Sequence, residues 1–251
     1  MMPMPSTSPI QITRQHHRRL REVYRSAGWP CQDMLEIELL ALGLLERVMS
    51  TIGHETLRLT AAGIAQLADV LGHNKAARSA HEALVERVAL EMSRAGRLVW
   101  RGLNLRAQVP SPEIKPDDSG AAPLAWVMAC PDVFSVRNTT VEAYLEPIVH
   151  EIKVSRADLL GDLKKPSKRA AYLDMGGECW YVLGQTARGR PIAQPNEVPS
   201  ECGVMLCEGD RLTVARPAPR RALTKMPFHV WMALARAAPA ARGDGDEQAS
   251  L

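Results

Sequence analysis

The sequence predicts an α/β fold: a mixed central sheet flanked by helices, preceded by a helical N-terminal region. Two observations lead there. Up to about residue 95, apolar positions recur at helical spacing. From residue 97 onward, short apolar runs bounded by Gly, Pro, Asp and Asn read as strands, with one helical stretch set among them.

The 251 residues suffice for one large domain, or for one domain with a smaller appendage. At 46% hydrophobic and 24% charged, the composition is that of an ordinary soluble globular chain. No apolar run approaches the roughly 18 residues of a membrane helix. The opening MMPMPSTSPIQITRQHHRRLR lacks the apolar centre of a secretory signal. A cytoplasmic protein with no membrane partner is therefore expected. The five cysteines are scattered without metal-ligand spacing, so reduced, buried thiols are the simplest reading. A net charge of +3 makes any basic surface a local one.

In chain order, residues 1–14 read as a disordered lead and 15–26 as a basic helix. Residues 32–50 read as a strong helix, with Leu35, Leu39, Leu40, Leu44 and Val48 at helical spacing. Thr60 caps a short helix that ends at Gly72. A longer helix follows from about Lys75 to Arg94, with His81, Leu84, Val85, Val88 and Met92 on its core face. These two helices resemble a helix-turn-helix, with RLVWRGLNLR (97–106) as its wing. The domain boundary is placed there: 15–74 as a helical region with winged-helix character, 75–237 as the main domain.

Residues 107–123 are rich in Pro, Asp, Ser and Gly and form a loop. Strands follow at 124–137, 146–155 and 178–184. Between the last two lies the helical stretch 156–175, restarted at Pro166, because proline is tolerated in a first turn only. A hairpin (203–209 and 211–217), a closing helix (227–237) and a disordered tail from 238 complete the chain.

The stretch HEIKVSRADL (150–159) raises a physical problem. Glu151 and Lys153 sit in an apolar strand, and burying an unpaired charge costs at least several kcal/mol. Alternate strand residues face opposite ways, so Glu151, Lys153 and Ser155 share a face with Val149, while His150 and Ile152 share the other. If the preceding strand pairs with this one, Asp132 comes to lie opposite Glu151. Two converging carboxylates repel unless a cation lies between them, and hard oxygen donors suit magnesium or manganese. Lys153 then has a phosphate or a water to address.

Pro131-Asp132, a gap of 18 residues, then Glu151-x-Lys153 resembles the PD-(D/E)xK (restriction-endonuclease-like) nuclease superfamily. The order of elements, helix 75–95, strands 97–106, 124–137 and 146–155, helix 156–175 and strand 178–184, matches its αβββαβ core, and the resemblance covers roughly residues 75–217. A nearer likeness is to the MmcB-like DNA repair nucleases, carried by Ser155, Arg156, Ala157, Asp158, Asp162, Lys164 and Pro166. The resemblance implies that Asp132 and Glu151 bind Mg2+ (or Mn2+) with the Ile152 carbonyl as third ligand, and that Lys153 is the catalytic lysine. It also implies an acidic residue from the first helix, for which Glu82 is the first candidate and Glu86 the second. A second Glu-x-Lys in PEIKP (112–116) is rejected, since prolines flank it and no apolar strand supports it.

Ser155, Arg156, Lys164, Lys165, Lys168 and Arg169 are the candidate DNA contacts. His150 points away from the Glu151 face, and Tyr172, Trp180 and Tyr181 are most simply core. The expected function is a metal-dependent DNA nuclease of DNA repair or foreign-DNA processing. DNA is its expected partner, and a homodimer is admissible. Two alternatives are kept: a non-catalytic DNA-binding or regulatory protein on a nuclease-like scaffold, and a nuclease acting on RNA.

Overall fold

A computed structural model describes residues 10–26, 28–51, 53–110, 124–209, 211–221 and 225–237. The lead up to residue 9, the tail from 238 and the PEIKP copy lie outside the described residues. The chain divides into two units between Ala76 and Ala77.

The first unit holds α1 (Arg14–Arg25), α2 (Met34–Ala41), a hairpin of β1 (Leu45–Met49) and β2 (Glu55–Leu59), and the start of α3 (Ala61–Arg94). Leu20, Val23, Leu39, Leu44, Leu45, Leu57, Leu59 and Leu67 make its core. Three expectations are corrected here. The helix expected over 32–50 stops at Ala41, and its second half is a strand. Gly43 adopts φ 67°, the left-handed conformation that ends helices, so the matching leucine spacing beyond it was coincidental. The N-terminal region is therefore not purely helical. The two helices expected on either side of Gly72 are one helix, α3, capped by the Thr60 hydroxyl, which accepts from the Gly63 N–H. A mid-helix glycine costs only about 1 kcal/mol, which 34 residues of helix absorb. With no turn between them there is no helix-turn-helix at 61–94 and no wing at 97–106.

The second unit is mixed α/β. Its central sheet has the order β10-β9-β8-β7-β6-β3. The strands are β3 (Arg97–Arg101), β6 (Val133–Arg137), β7 (Ile148–Lys153), β8 (Glu178–Leu183), β9 (Gly203–Glu208) and β10 (Arg211–Arg216). β7, β8 and β9 run parallel, while β3–β6, β6–β7 and β9–β10 are antiparallel. The parallel step from β7 to β8 needs a crossover, supplied by α4 (Arg156–Leu163) and α5 (Pro166–Met175). Pro166 opens α5, where its missing N–H costs nothing.

Two expected strands are split. Residues 97–106 break at Gly102 (φ 60°), and 124–137 break at Cys130–Asp132. The outer halves, β4 (Leu105–Pro110) and β5 (Leu124–Ala129), pair with each other in a separate two-stranded sheet. One face of the central sheet packs on α3 through Val88, Val99, Val133, Ile152 and Val182. The other face meets α5 and the β4–β5 pair through Phe134, Val149, Ala171, Met175, Ala107 and Val109. The closing helix α6 (Phe228–Arg236) lies against β4. No helix among the described residues is long and apolar enough to cross a membrane. Cys179 and Cys202 are buried, but Cys31 and Cys130 are exposed, contrary to the expectation of uniformly buried thiols.

Candidate active site

The site is built at the end of β7 where β6 begins. The antiparallel register Val133↔His150 carries on to set Asp132 level with Glu151. Asp132 lies just outside β6, because Pro131 precedes it and cannot donate to a ladder. One of its oxygens, Oδ2, accepts the Ile152 N–H at 2.7 Å. That bond seats the carboxylate at the sheet's open corner. The N–H and C=O of one strand residue face the same neighbour, so the Ile152 carbonyl faces this corner as well. The other oxygen, Oδ1, lies 3.4 Å from His81 Nε2 on α3.

Glu151 and Lys153 are 2% and 5% exposed, so the sequence's problem of buried charge is real. The fold answers much of it internally. Lys153 Nζ donates to Glu151 Oε1 at 2.7 Å and lies 3.3 Å from Asp158 and 3.6 Å from Asp162. Lys168, reaching in from α5, donates to Glu151 Oε1 at 2.6 Å and to Asp162 Oδ1 at 2.7 Å. The Tyr172 hydroxyl sits 2.8 Å from Glu151 Oε2 and 2.9 Å from the Cys130 carbonyl, sharing one proton between them. Tyr181 donates to Asp162 Oδ2 at 2.8 Å.

The electrostatics follow from these neighbours. Burial first, and the Glu151 carboxylate second, push the Asp132 carboxyl above the usual carboxylate range. Burial pulls the Lys153 ammonium down, but Glu151, Asp162 and Asp158 outweigh it and hold it above the ordinary lysine value. Lys168 is raised in the same way: burial opposes, and Glu151 and Asp162 prevail. Both lysines are therefore cations at neutral pH and donors rather than bases. Burial pushes Asp162 up, yet Lys168, Lys153 and Tyr181 leave it below its usual value. Tyr172 is raised by burial and then by Glu151, so it stays a proton donor.

Counting the cluster, four carboxylates (Asp132, Glu151, Asp158, Asp162) face two ammoniums (Lys153, Lys168), which leaves two negative charges in excess. Among the described residues no group of three or more His, Cys, Asp and Glu side chains is gathered at metal-ligand spacing. Two carboxylates with a backbone carbonyl are instead a small set of hard oxygen donors, which suits a divalent cation that keeps several waters.

The remaining expected residues are placed as follows. Glu82 is exposed on α3 and reaches no described partner. Glu86 lies 3.4 Å from Arg101. The helix residue beside Asp132 is His81, one position earlier, because the core face of α3 aims that residue at the sheet. Among the expected DNA contacts, Ser155 is the N-cap of α4 and accepts the Asp158 N–H. Arg156 grips Glu197 through two bonds of 3.0 and 2.7 Å, and Arg169 donates to Glu201 at 2.9 Å. Lys168 belongs to the buried cluster. Lys164 and Lys165 are exposed and make no ion pair with a described residue. His150 is fully buried on the α3 face, as its strand position requires. Trp180 and Tyr181 are buried in the core, but Tyr181 also serves the site through Asp162.

Sequence reasoning missed His81, Tyr172, Tyr181 and the inward turn of Lys168. Each meets the site across 17 or more residues of chain except Lys168 on Asp162, and no local pattern marks such contacts.

No family model and no curated protein matches this chain. Among solved structures it is similar to a protein of unknown function from Silicibacter pomeroyi, at 18% identity and a TM-score of 0.33. That match covers 59% of this chain and 84% of the other.

Proposed function

We propose that this chain is a divalent-metal-dependent nuclease that hydrolyses phosphodiester bonds in DNA, in repair or in the processing of foreign DNA. One observation carries the reading. Two carboxylates, Asp132 just ahead of β6 and Glu151 in the neighbouring β7, converge at a sheet corner in a cluster with two negative charges in excess, and a lysine stands in the same cluster. Like charges brought together out of water are unfavourable without a cation. Asp132, Glu151 and the Ile152 carbonyl would hold Mg2+ or Mn2+. When bound, such a cation supplies an acidified water and a counter-charge for phosphate. Lys153 presents a permanently protonated ammonium that orients that water or a phosphate oxygen. Tyr172 and Lys168 fix the Glu151 carboxylate, and Asp162 with Tyr181 fixes Lys168.

The second reading, a non-catalytic DNA-binding protein, draws on a different observation. Glu151 Oε1 already takes two ammoniums and Oε2 a hydroxyl. Cleavage assays on single-stranded, duplex and branched DNA, and on RNA, with Mg2+ or Mn2+ separate the readings. Metal-dependent cutting that Asp132→Ala and Lys153→Ala abolish, with circular dichroism unchanged, is the expected result. Binding without cutting, or cutting that survives both substitutions, sinks the catalytic reading.

A further inference from the structure

A second feature of the same unit adjoins the cluster. An open groove of about 620 Å³ runs between the β3–β4 turn, β5 and α6. Arg101, Arg106 and Arg236 line it together with Met128, Phe228 and His229, and no Asp or Glu is among its lining residues. Arg101 lies 3.4 Å from Glu86, whereas Arg106 and Arg236 make no hydrogen bond or ion pair with a described residue.

The chemistry of the walls follows from strand register. On β4 and β5 the small and aliphatic residues Leu105, Ala107, Val109 and Ala129 face the core. Arg106 pairs with Met128 and Gln108 with Trp126, so these four side chains share the outer face. Trp126 and Met128 are 58% and 54% exposed, and Phe228 on α6 is 76% exposed. The Trp126 ring meets the His229 ring edge-on at 5.8 Å. Single-strand sites are generally built from exposed rings, on which unpaired bases stack, and from cations along the phosphate backbone, and this face carries both kinds of side chain. A duplex hides its base faces in its own stack and cannot use such a platform.

The groove is also tied to the catalytic corner. The Gly102 N–H donates to the Asp132 carbonyl at 3.1 Å, and the Cys130 thiol donates to Asn104 Oδ1 at 3.1 Å. Arg101 is the register partner of Val133, the residue after Asp132. The turn that floors the groove is thus bonded to the segment that places the candidate metal ligand.

We propose that this groove binds a single-stranded segment of DNA and delivers it to Asp132 and Glu151, which makes single strands, flaps or frayed ends the substrate class. The proposal rests on the nuclease reading for delivery but not for binding, and its test separates the two. The full-length chain is titrated, with divalent ions chelated, into fluorescein-labelled oligo-dT of about twenty nucleotides and into a duplex of equal length. Binding is read by anisotropy across a salt series, since single-strand sites span roughly 4–16 nucleotides per module.

Oligo-dT is expected to bind at least tenfold tighter than duplex. Phe228→Ala, at an exposed position, is expected to weaken oligo-dT binding about tenfold, within the range for losing one stacked base. Arg236→Gln is expected to lower the salt slope by about 0.7. If Phe228→Ala and Arg236→Gln bind oligo-dT like the parent, the groove inference falls, and the nuclease reading stands if Asp132→Ala still abolishes cutting. If both lose binding while the parent cuts nothing with either metal, the nuclease reading falls and the groove remains a strand-binding surface. No oligo-dT binding by the parent overturns the groove inference. So does light scattering showing that Phe228→Ala only dissociates a dimer, since the face would then seat a second copy.

Discussion

His150 gives the sharpest quantitative prediction, because its environment is simple. It is fully buried on the α3 face of β7, and both ring nitrogens lack a hydrogen-bond partner among the described residues. Burial first, and the Arg97 charge second, depress its pKa from 6.5 to about 3. In the unfolded chain the imidazole takes up a proton near 6.5, but in the fold it stays neutral down to about 3. Between those values the unfolded state binds more protons, so stability falls as pH falls. Each unit of pH below 6.5 removes about 1.4 kcal/mol, which amounts to about 2 kcal/mol between pH 8 and pH 5. Asp132, raised by its surroundings, contributes with the opposite sign, because the folded state holds that proton more tightly. The comparison must therefore be with His150→Phe, in which the Asp132 contribution cancels. The assay is urea unfolding at pH 8 and pH 5 for both proteins. The parent is expected to lose about 2 kcal/mol more than the variant over that interval. Overpacking by the phenyl ring shifts the variant's stability equally at both pH values and leaves the difference intact. Equal pH dependence in the two proteins would show that His150 is protonated or hydrated in the fold, and would refute the reasoning.

Three further outcomes are expected. Lys168→Met, which leaves Glu151 and Asp162 short of a partner, should lower unfolding free energy by about 2–3 kcal/mol in a urea titration, less than the roughly 3–5 kcal/mol for breaking a fully buried pair because Lys168 is partly exposed. Lys164→Gln with Lys165→Gln should lower the salt slope of duplex binding by about 1.8, while Arg156→Ala should leave it unchanged because Glu197 already neutralises that guanidinium, and anisotropy at several salt concentrations decides. Gly102→Val should cost about 1–2 kcal/mol of stability by thermal or urea unfolding, because Gly102 holds φ 60°, and should also impair any cleavage through the bond to the Asp132 carbonyl.

The sequence by itself determined the α/β class, the helices and strands from residue 146 onward and the buried pair at Glu151 and Lys153. Those features are written in local sequence: a short apolar run holding Glu151 and Lys153 at β7, a Ser155 cap, and a proline where α5 begins. It misread 32–50 because a leucine repeat fits a short helix followed by a strand as well as one helix, and only the left-handed Gly43 separates them. It misread 97–137 because a bend at Gly102 and at Pro131 sends half of each run to a different sheet, and no local pattern says which partner a strand will find. The tertiary structure alone decided which charges meet. Lys168 and Arg169 are adjacent in sequence, yet one turns into the cluster and the other to Glu201. His81 rather than Glu82 meets Asp132, because the face of a long helix is fixed by the sheet it packs on. Side-chain chemistry is local, but the neutralisation of a buried charge depends on what lies within about 4 Å, and chain distance does not encode that.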